Sequence, residues 1–380
     1  ALFEAVTQLA GALARKNILV WVLEDLHWSD IASMDLLSYA LRAWSRHKLP
    51  ILMIVTVRKE AISDIPNFKE WLAALSRDVN SIPIELGSLN QKDVSTFVEQ
   101  LRDPLKKLMW GNSLEEISTW LWEESEGQPL LLTETVRMYL EKDNSPLYGR
   151  QTEFSSWRNL QINPTNYPMQ ELTSGISRIV QWRMSRLSPI ASELARAASI
   201  LGHQFPFSVL IRVAEVPEDK ALPAIEELIN GRILQLTVNS VESGDIFYQF
   251  PHGQIKAIVE SSIPQTLRMV FHRRAFHALL EYNALPAELA YHALKSHQLE
   301  QGFRYCLIAG NNALELFDPH DAIYFYEKAR QLLNERVGPV LLKTILPVSM
   351  IEQLYIKLSL SYEIIAKWDN ARKIYETMLN

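Results

Sequence analysis

Two adjacent carboxylates, Glu24 and Asp25, directly follow an unbroken apolar run at residues 18–23. A short run of this kind is typical of a strand that is buried on both faces of a parallel sheet. Ligands of α/β sheets bind at the carboxyl ends of the strands. One carboxylate there can hold Mg²⁺ while the other orients or deprotonates a water that attacks a γ-phosphate. We assign Glu24 to the metal and Asp25 to the water, with the reverse order as the alternative. Taken alone, these two residues fit a merely solvated strand end equally well.

A second apolar run, residues 51–57, contains Thr56 and is followed by Arg58. A helix predicted at residues 33–45 separates the two runs, and strand, helix, strand at this spacing is typical of an αβ crossover. A third strand is predicted at residues 82–86. A polar or cationic group at a neighbouring strand end can sense a γ-phosphate by hydrogen bond or charge. The alternative for Arg58 is an ordinary surface arginine.

The segment VLEDLHWSD, residues 22–30, resembles the Walker B segment of STAND ATPases, the signal-transduction branch of the AAA-like P-loop ATPases. This group includes the maltose-regulon activator, large LuxR-type regulators and cyclase-associated predicted ATPases. Thr56-Val-Arg58 resembles the T-x-R sensor 1 of the same group. The resemblance implies that Thr56 and Arg58 bind nucleotide, and that ATP and Mg²⁺ are the cofactors.

The segment Gly127-Gln-Pro129 resembles the G-x-P element of the helical lid in that group. Glycine allows a close backbone approach, and a proline ring can pack flat against an adenine. The resemblance implies that Gly127 and Pro129 belong to the nucleotide site. The same residues also describe an ordinary helix start with proline in its first turn.

A phosphate-binding loop reads G-x-x-x-x-G-K-[ST], but no glycine of this sequence is followed by lysine. Either the sequence begins after the Walker A loop of a longer protein, or the ATPase is degenerate. The first alternative is favoured, because residue 1 falls inside a predicted helix and both acidic residues are retained. We therefore expect ATPase activity only in the full-length protein, and expect this chain alone to be inactive and to bind ATP poorly.

Residues 171–264 read as several helices followed by two short strands, which is the pattern of a winged helix. In STAND ATPases a histidine of this arm can approach the nucleotide phosphate, and the resemblance places His252 in that role. The alternative is a histidine packed at the junction between strand and helix. A DNA-binding domain normally has a basic surface on one face. Here acidic and basic residues nearly balance, and Arg183, Arg186 and Arg196 are expected to be solvated, so DNA binding is not favoured.

The last 116 residues read as paired amphipathic helices. Ala322, Tyr326 and Ala329, with Gly310 upstream, follow the tetratricopeptide pattern. Ala371 and Tyr375, with Ser359 upstream, repeat it 49 residues later. An insertion near residues 339–347 accounts for a spacing longer than the usual repeat of about 34 residues. Such repeats present a surface to a protein or small-molecule inducer.

The composition excludes several classes of protein. With one cysteine, Cys306, neither a disulfide framework nor a cysteine-based zinc site can form, and a reducing compartment, the cytoplasm, is expected. The histidines His272, His277, His292 and His297 lack the i, i+4 spacing of a helical metal pair. A net charge of −6 gives no reason to expect global nucleic-acid binding. No apolar stretch is long enough to cross a membrane.

The expected fold class is α/β plus mainly α, with a partial P-loop core and its parallel sheet. The resemblance implies an ATP-dependent switch that regulates transcription or another output outside this chain, and that self-associates on activation. The alternatives are a non-catalytic helical-repeat scaffold and a winged-helix DNA-binding regulator. The predicted domains are the ATPase core at residues 1–90, a helical lid at 91–143, a linker at 144–170, the winged-helix arm at 171–264 and tetratricopeptide-like repeats at 265–380.

Overall fold

A computed structural model describes residues 2–58, 68–101, 113–142, 175–237, 245–334 and 345–379. Within these ranges helix is the dominant element, accompanied by one small parallel and one small antiparallel sheet. The chain forms two compact units, one of residues 1–85 with 299–380 and the other of residues 86–298. The predicted linker at 144–170 lies outside the described residues.

The first unit begins with the predicted crossover. Its elements are α1 (Leu2–Ala14), β1 (Leu19–Leu23), a 3-10 turn (Leu26–Trp28), α2 (Ile31–Arg46), β2 (Ile51–Val55) and α3 (Phe68–Asp78). Strands β1 and β2 pair in parallel, with Leu19 opposite Ile51 and Leu23 opposite Val55. The prediction that the two apolar runs lie side by side is confirmed, so both carboxyl ends lie at one edge of the sheet.

Only one face of this sheet is covered by the described residues. The side chains of Trp21 and Met53 pack with the buried Trp44 of α2, and Phe68 of α3 joins the same side. The opposite face consists of the exposed side chains Val20, Val22, Leu52 and Ile54. The expectation of a strand buried on both faces is therefore wrong for the described part of the chain, because the helices described there pack on one face of the sheet.

The third predicted strand, residues 82–86, does not form. Ile82, Ile84 and Leu86 are 79, 80 and 90% exposed, and the backbone there pairs with no described strand. The alternation of apolar residues indicated a strand, but a strand also needs an edge to pair with. Pro83 further removes one backbone donor from the segment.

The second unit opens with three helices, α4 (Gln91–Gln100), α5 (Leu114–Ser125) and α6 (Pro129–Lys142). Asn90 and Ser113 each begin a helix with a reciprocal capping box, to Asp93 and Glu116 respectively. The three helices share a buried core of aliphatic side chains: Val94, Val98, Ile117, Leu121, Leu132 and Val136.

The region of residues 175–263 contains several helices and the two predicted short strands. The elements are α7 (Gly175–Ser185), α8 (Pro189–Ile200), β3 (Gln204–Pro206), α9 (Phe207–Ala214), α10 (Glu218–Asn230), β4 (Gln235–Leu236), β5 (Phe247–Gln249) and α11 (Gly253–Ser261). The two predicted strands pair antiparallel, and β3, which sequence patterns did not predict, adds a third strand on the other side of β5.

An ion pair joins α6 to α7. The guanidinium of Arg183 donates to the carboxylate of Glu134, which also accepts from Arg137, and both Arg183 and Glu134 are buried. The expectation that Arg183 is solvated is therefore wrong. The neighbouring Arg186 lies over the ring of Trp182 instead.

The remaining helices are α12 (Gln265–Glu281), α13 (Pro286–Lys295), α14 (Leu299–Glu315), α15 (Pro319–Asn334), α16 (Val348–Ile364) and α17 (Trp368–Leu379). The last four form two hairpins, and the second hairpin begins and turns 49 residues after the first. The predicted repeat register is therefore observed. Among the described helices, none is long and apolar enough to cross a membrane.

Candidate functional site at the carboxyl edge of the parallel sheet

Three hydrogen bonds to and from Thr56 fasten the ends of β1 and β2 together. The backbone N–H of Asp25 donates to Thr56 Oγ1 at 2.8 Å, and Leu26 N–H donates to the Thr56 carbonyl at 2.9 Å. The Thr56 N–H donates in turn to the carbonyl of Leu23 at 3.0 Å. Because its Oγ1 accepts from Asp25, the hydroxyl hydrogen of Thr56 remains available to a ligand.

Asp25 adopts the left-handed conformation, with φ of 52°. Short polar side chains tolerate this region better than others do. This conformation changes the direction of the backbone after β1 and starts the 3-10 turn that follows. It also leaves the side chains of Glu24 and Asp25 exposed at the sheet edge, as the assigned roles require.

A cationic side chain faces the carboxylate of Asp25. Arg58 Nε lies 3.9 Å from Asp25 Oδ1, and both side chains are about half exposed. Sequence patterns gave no role to His27, whose buried imidazole places Nδ1 3.8 Å from the same oxygen. The structure thus brings Asp25, Thr56, Arg58 and His27 into one cluster, and Glu24 is adjacent to it in sequence.

The arrangement combines hard oxygen donors with a guanidinium and a hydroxyl. Carboxylate oxygens are typical ligands of Mg²⁺, which also keeps several waters. A guanidinium and a hydroxyl at the neighbouring strand end can bind phosphate oxygens. The donor set therefore fits a magnesium-bound phosphate, whereas the sequence lacks the glycine–lysine loop that would cradle the rest of it.

Asp30, the last residue of the Walker B-like segment, has a structural role. Its carboxylate accepts from the Ser33 N–H at 2.6 Å and caps α2. Asp30, Asp318 and Asp321 also bring carboxylate oxygens within 4.8 Å of one another. Asp318 likewise accepts from the N–H groups of His320 and Asp321 at a helix start, so helix capping accounts for two of these three carboxylates.

Gly127 and Pro129 lie in the second unit. Gly127 has φ of +69°, and a Cβ there would lie 2.1 Å from the carbonyl oxygen of Leu89. The Leu89 N–H donates to the Gly127 carbonyl at 2.8 Å, and Trp122 Nε1 donates to the Leu89 carbonyl at 3.2 Å. Gly127 thus makes the expected close backbone approach, and its partner is the backbone of Leu89 in the same chain. Pro129 starts α6 with an exposed ring.

His252 also belongs to the second unit, at the position preceding α11. Its carbonyl accepts the N–H groups of Ile255 and Lys256, and its side chain is exposed. The alternative of a packed histidine is therefore wrong. The imidazole is open to a ligand, and its role as a phosphate sensor stays a prediction.

A buried histidine pair was not found from the sequence. His272 of α12 and His292 of α13 place their Nδ1 atoms 3.0 Å apart. Burial, followed by the positive charges of Lys295, Arg268 and Lys256, lowers the pKa of His272 to about 4. Burial also lowers the pKa of His292 to about 3. No spacing rule within one helix can find a contact between two helices.

No protein-family model matches this sequence. A curated relative, the uncharacterized protein R02095 of Rhizobium meliloti (strain 1021), is 24% identical over 342 residues. The match covers 87% of this chain and 29% of that protein, so the chain spans less than a third of the relative's length.

A solved structure is similar at a low level. It is the crystal structure of a Signal Transduction ATPase with Numerous Domains (STAND) protein with a tetratricopeptide repeat sensor, PH0952 from Pyrococcus horikoshii. The similarity has a TM-score of 0.41 at 11% identity and covers 99% of this chain and 57% of that one. A likeness of this size does not establish a shared fold.

Proposed function

We propose that this chain is part of an ATP-dependent signal-transduction switch of the STAND type. Mg-ATP at the carboxyl edge of the β1–β2 sheet holds one arrangement of the protein, and ADP holds another. The output, such as transcription or another signalling activity, is carried by polypeptide outside these 380 residues. The phosphate-binding loop that the proposal requires also comes from outside them.

The observation that carries the proposal is the cluster at the two strand ends. An exposed carboxylate, a threonine hydroxyl and a guanidinium converge where parallel sheets bind ligands. Glu24 holds the metal, Asp25 positions the attacking water, and the side chains of Thr56 and Arg58 bind the γ-phosphate. Bound there, Mg²⁺ neutralises charge on the phosphates.

The open face of the sheet supports the same proposal. Parallel sheets occur almost only with both faces covered. Val20, Val22, Leu52 and Ile54 form an exposed apolar face that a complete ATPase core would cover. Ile82 and Ile84 are exposed strand-like residues that a wider sheet would pair.

The decisive experiment replaces Asp25 by Asn in the full-length polypeptide. ATP turnover should fall at least about 100-fold, because the amide neither accepts the proton of the attacking water nor carries the negative charge that faces Arg58. The matched control is Asp35→Asn, which changes an exposed carboxylate on α2 and should leave turnover within about twofold. Equal turnover in wild type and Asp25→Asn would refute the assigned role.

Calorimetry on the 380-residue chain provides a second test. Without the phosphate-binding loop, Mg-ATP should show no affinity in the micromolar range. Micromolar binding by this chain would contradict the claim that the loop is needed.

A non-catalytic helical scaffold is the second candidate, and the observed hairpin repeat favours it. Under that function Asp25→Asn leaves signalling unchanged, so the same variant separates the two. The alternative of a winged-helix DNA-binding regulator is not favoured, because Arg183 forms a buried ion pair with Glu134. DNA binding would appear as a steep loss of affinity with salt in a gel-shift series.

A further inference from the structure

We infer that His27 is a positioning residue for Asp25: its imidazole presents an Nδ1–H to Asp25 Oδ1, fixes the rotation of the carboxylate and leaves Oδ2 to orient the attacking water. This role rests on the proposed function, because it concerns the same site. The imidazole itself takes part in no chemical step.

The backbone on both sides of His27 is fixed beside Asp25. Before it, the Leu26 N–H donates to the Thr56 carbonyl at 2.9 Å. After it, the N–H and the hydroxyl of Ser29 donate to the Leu26 carbonyl at 3.0 and 2.7 Å. The side chain of Leu26 is buried in the core that α2 and α3 share with the sheet. The 3-10 turn that contains His27 is therefore anchored both to the end of β2 and to this core.

The side chains of His27 and Asp25 differ in exposure. The side chain of His27 is 6% exposed, whereas that of Asp25 is 51% exposed. A buried ring has few alternative rotamers, because close-packed neighbours fill the space into which it would turn. An exposed carboxylate rotates in water and loses entropy when it is held in one orientation. The imidazole is therefore the fixed member of the pair, and it can hold the carboxylate.

Two nitrogen groups face the same oxygen of Asp25. His27 Nδ1 lies 3.8 Å from Oδ1, and Arg58 Nε lies 3.9 Å from it. Under the proposed function Arg58 binds the γ-phosphate when nucleotide is present, and of these two groups His27 then remains beside Oδ1. The separation of 3.8 Å is longer than a hydrogen bond, but catalytic hydrogen bonds are often long before substrate binds and shorten afterwards. His27 thus holds the carboxylate at the stage at which the water must be oriented.

The charge of Asp25 selects the tautomer of His27 that this role needs. A neutral imidazole carries its hydrogen on one of its two nitrogens, and the groups around the ring decide which one. The negative carboxylate favours the hydrogen on Nδ1, because the N–H dipole then points at Oδ1. A neutral donor lowers the basicity of a carboxylate less than a cation at the same distance does, so Asp25 can still act on the water.

Kinetics of the full-length polypeptide test the role of the Nδ1–H. His27→Leu removes the donor and should lower kcat for ATP at least about 10-fold with KM within about twofold, because binding of ATP does not need an oriented water. His27→Asn should keep kcat within about threefold of wild type, because its amide N–H can replace the Nδ1–H.

Met34→Ala is the matched control for a loss of packing. Met34 belongs to the same buried core as Leu26 and is not one of the site residues. The variant should lower the midpoint of thermal unfolding and leave kcat within about twofold of wild type.

Nuclear magnetic resonance of the 380-residue chain gives a readout that does not depend on turnover. At about pH 8, above the ordinary pKa of histidine, the chemical shifts of the imidazole nitrogens show which nitrogen carries the hydrogen. His27 should carry it on Nδ1, and the loss of its signals in His27→Asn identifies them. Asp25→Gly removes the carboxylate and tolerates the left-handed backbone. In that variant the Nε2–H fraction of His27 should rise towards that of the exposed His203.

Asp25→Asn, measured in parallel, distinguishes failure of this role from failure of the proposed function. Loss of turnover in Asp25→Asn with wild-type kcat in His27→Leu would overturn the role of His27 and leave the proposed function standing. Wild-type turnover in Asp25→Asn would overturn both. Equal losses of kcat in His27→Asn and His27→Leu would show that the shape of the ring matters rather than its donor. A wild-type chain with the His27 hydrogen on Nε2 would contradict the role whatever the turnover.

Discussion

The β1–β2 sheet and the bundle at residues 175–263 use their apolar residues differently. In the bundle, which contains helices and a three-stranded sheet, Phe205, Phe250, Leu194 and Leu210 are fully buried. In the sheet, every second side chain of β1 is exposed. Both regions are rich in large apolar residues, but within the described residues the bundle has a core of fully buried side chains, whereas the sheet leaves one apolar face exposed.

The difference separates strand formation from strand burial. The apolar run at residues 18–23 forms β1 although one face is open, because hydrogen bonds to β2 and one layer of helices stabilise the strand. Burial of the second face requires additional elements. A region that supplies its own partners forms a self-contained core, whereas a sheet with one free face depends on elements outside the described residues.

Truncating one side chain in each region gives the largest expected contrast. Phe250→Ala should lower the free energy of unfolding of the bundle by about 3–5 kcal/mol, since it opens a cavity beside Phe205. Val22→Ala should change the stability of the sheet by less than about 0.5 kcal/mol, because its side chain is already exposed. Urea titrations read by hydrogen exchange in α8 and in β1 measure the two effects separately. A loss above about 1.5 kcal/mol for Val22→Ala would mean that something covers this face.

Ion pairs provide the second contrast. Arg183→Ala should destabilise the second unit by about 3 kcal/mol, because it leaves the carboxylate of Glu134 buried without its main partner. Arg42→Ala in the first unit should cost less than about 0.5 kcal/mol, although Arg42 Nε lies 2.7 Å from Asp78, because both side chains are exposed.

A double variant tests the cause of the Arg183 effect. Arg183→Met combined with Glu134→Leu should recover most of the lost stability, because no unpaired charge remains. Thermal unfolding at fixed pH measures all four proteins. Equal losses for Arg183→Ala and Arg42→Ala would contradict the burial of the first pair.

Local structure was predictable because its signals are local. The run at residues 18–23 predicted β1, and the recurrence of alanine and tyrosine around Ala322 and Ala371 predicted the hairpin register. The Thr56 and Arg58 motif correctly indicated groups that lie beside Asp25, because parallel pairing places the ends of adjacent strands together.

Long-range contacts were not predictable from patterns. Residues 82–86 alternate like a strand, but pairing depends on an available edge elsewhere. Arg183 looks like any surface arginine until Glu134, 49 residues earlier, is known to lie beside it. The positive φ of Gly127 allows its close contact with Leu89. The G-x-P pattern does not predict that contact.

The histidine pair gives a pH test confined to the second unit. Because burial lowers the pKa of His272 to about 4 and that of His292 to about 3, the unfolded chain binds protons below pH 6.5 that the folded chain does not. Stability is therefore full above pH 6.5 and falls as the pH decreases towards 4, by up to about 1.4 kcal/mol per pH unit for each imidazole.

Urea unfolding of α12 and α13 between pH 7 and 4.5, read by hydrogen exchange, measures this slope. The double variant His272→Leu with His292→Leu should lose it, because neither ring remains to be protonated. His203→Gln, which changes an exposed histidine of the same unit, should keep it. A slope that persists in the double variant would assign the acid sensitivity to other groups. The histidine pair would then not explain any difference in the pH dependence of stability between the two units.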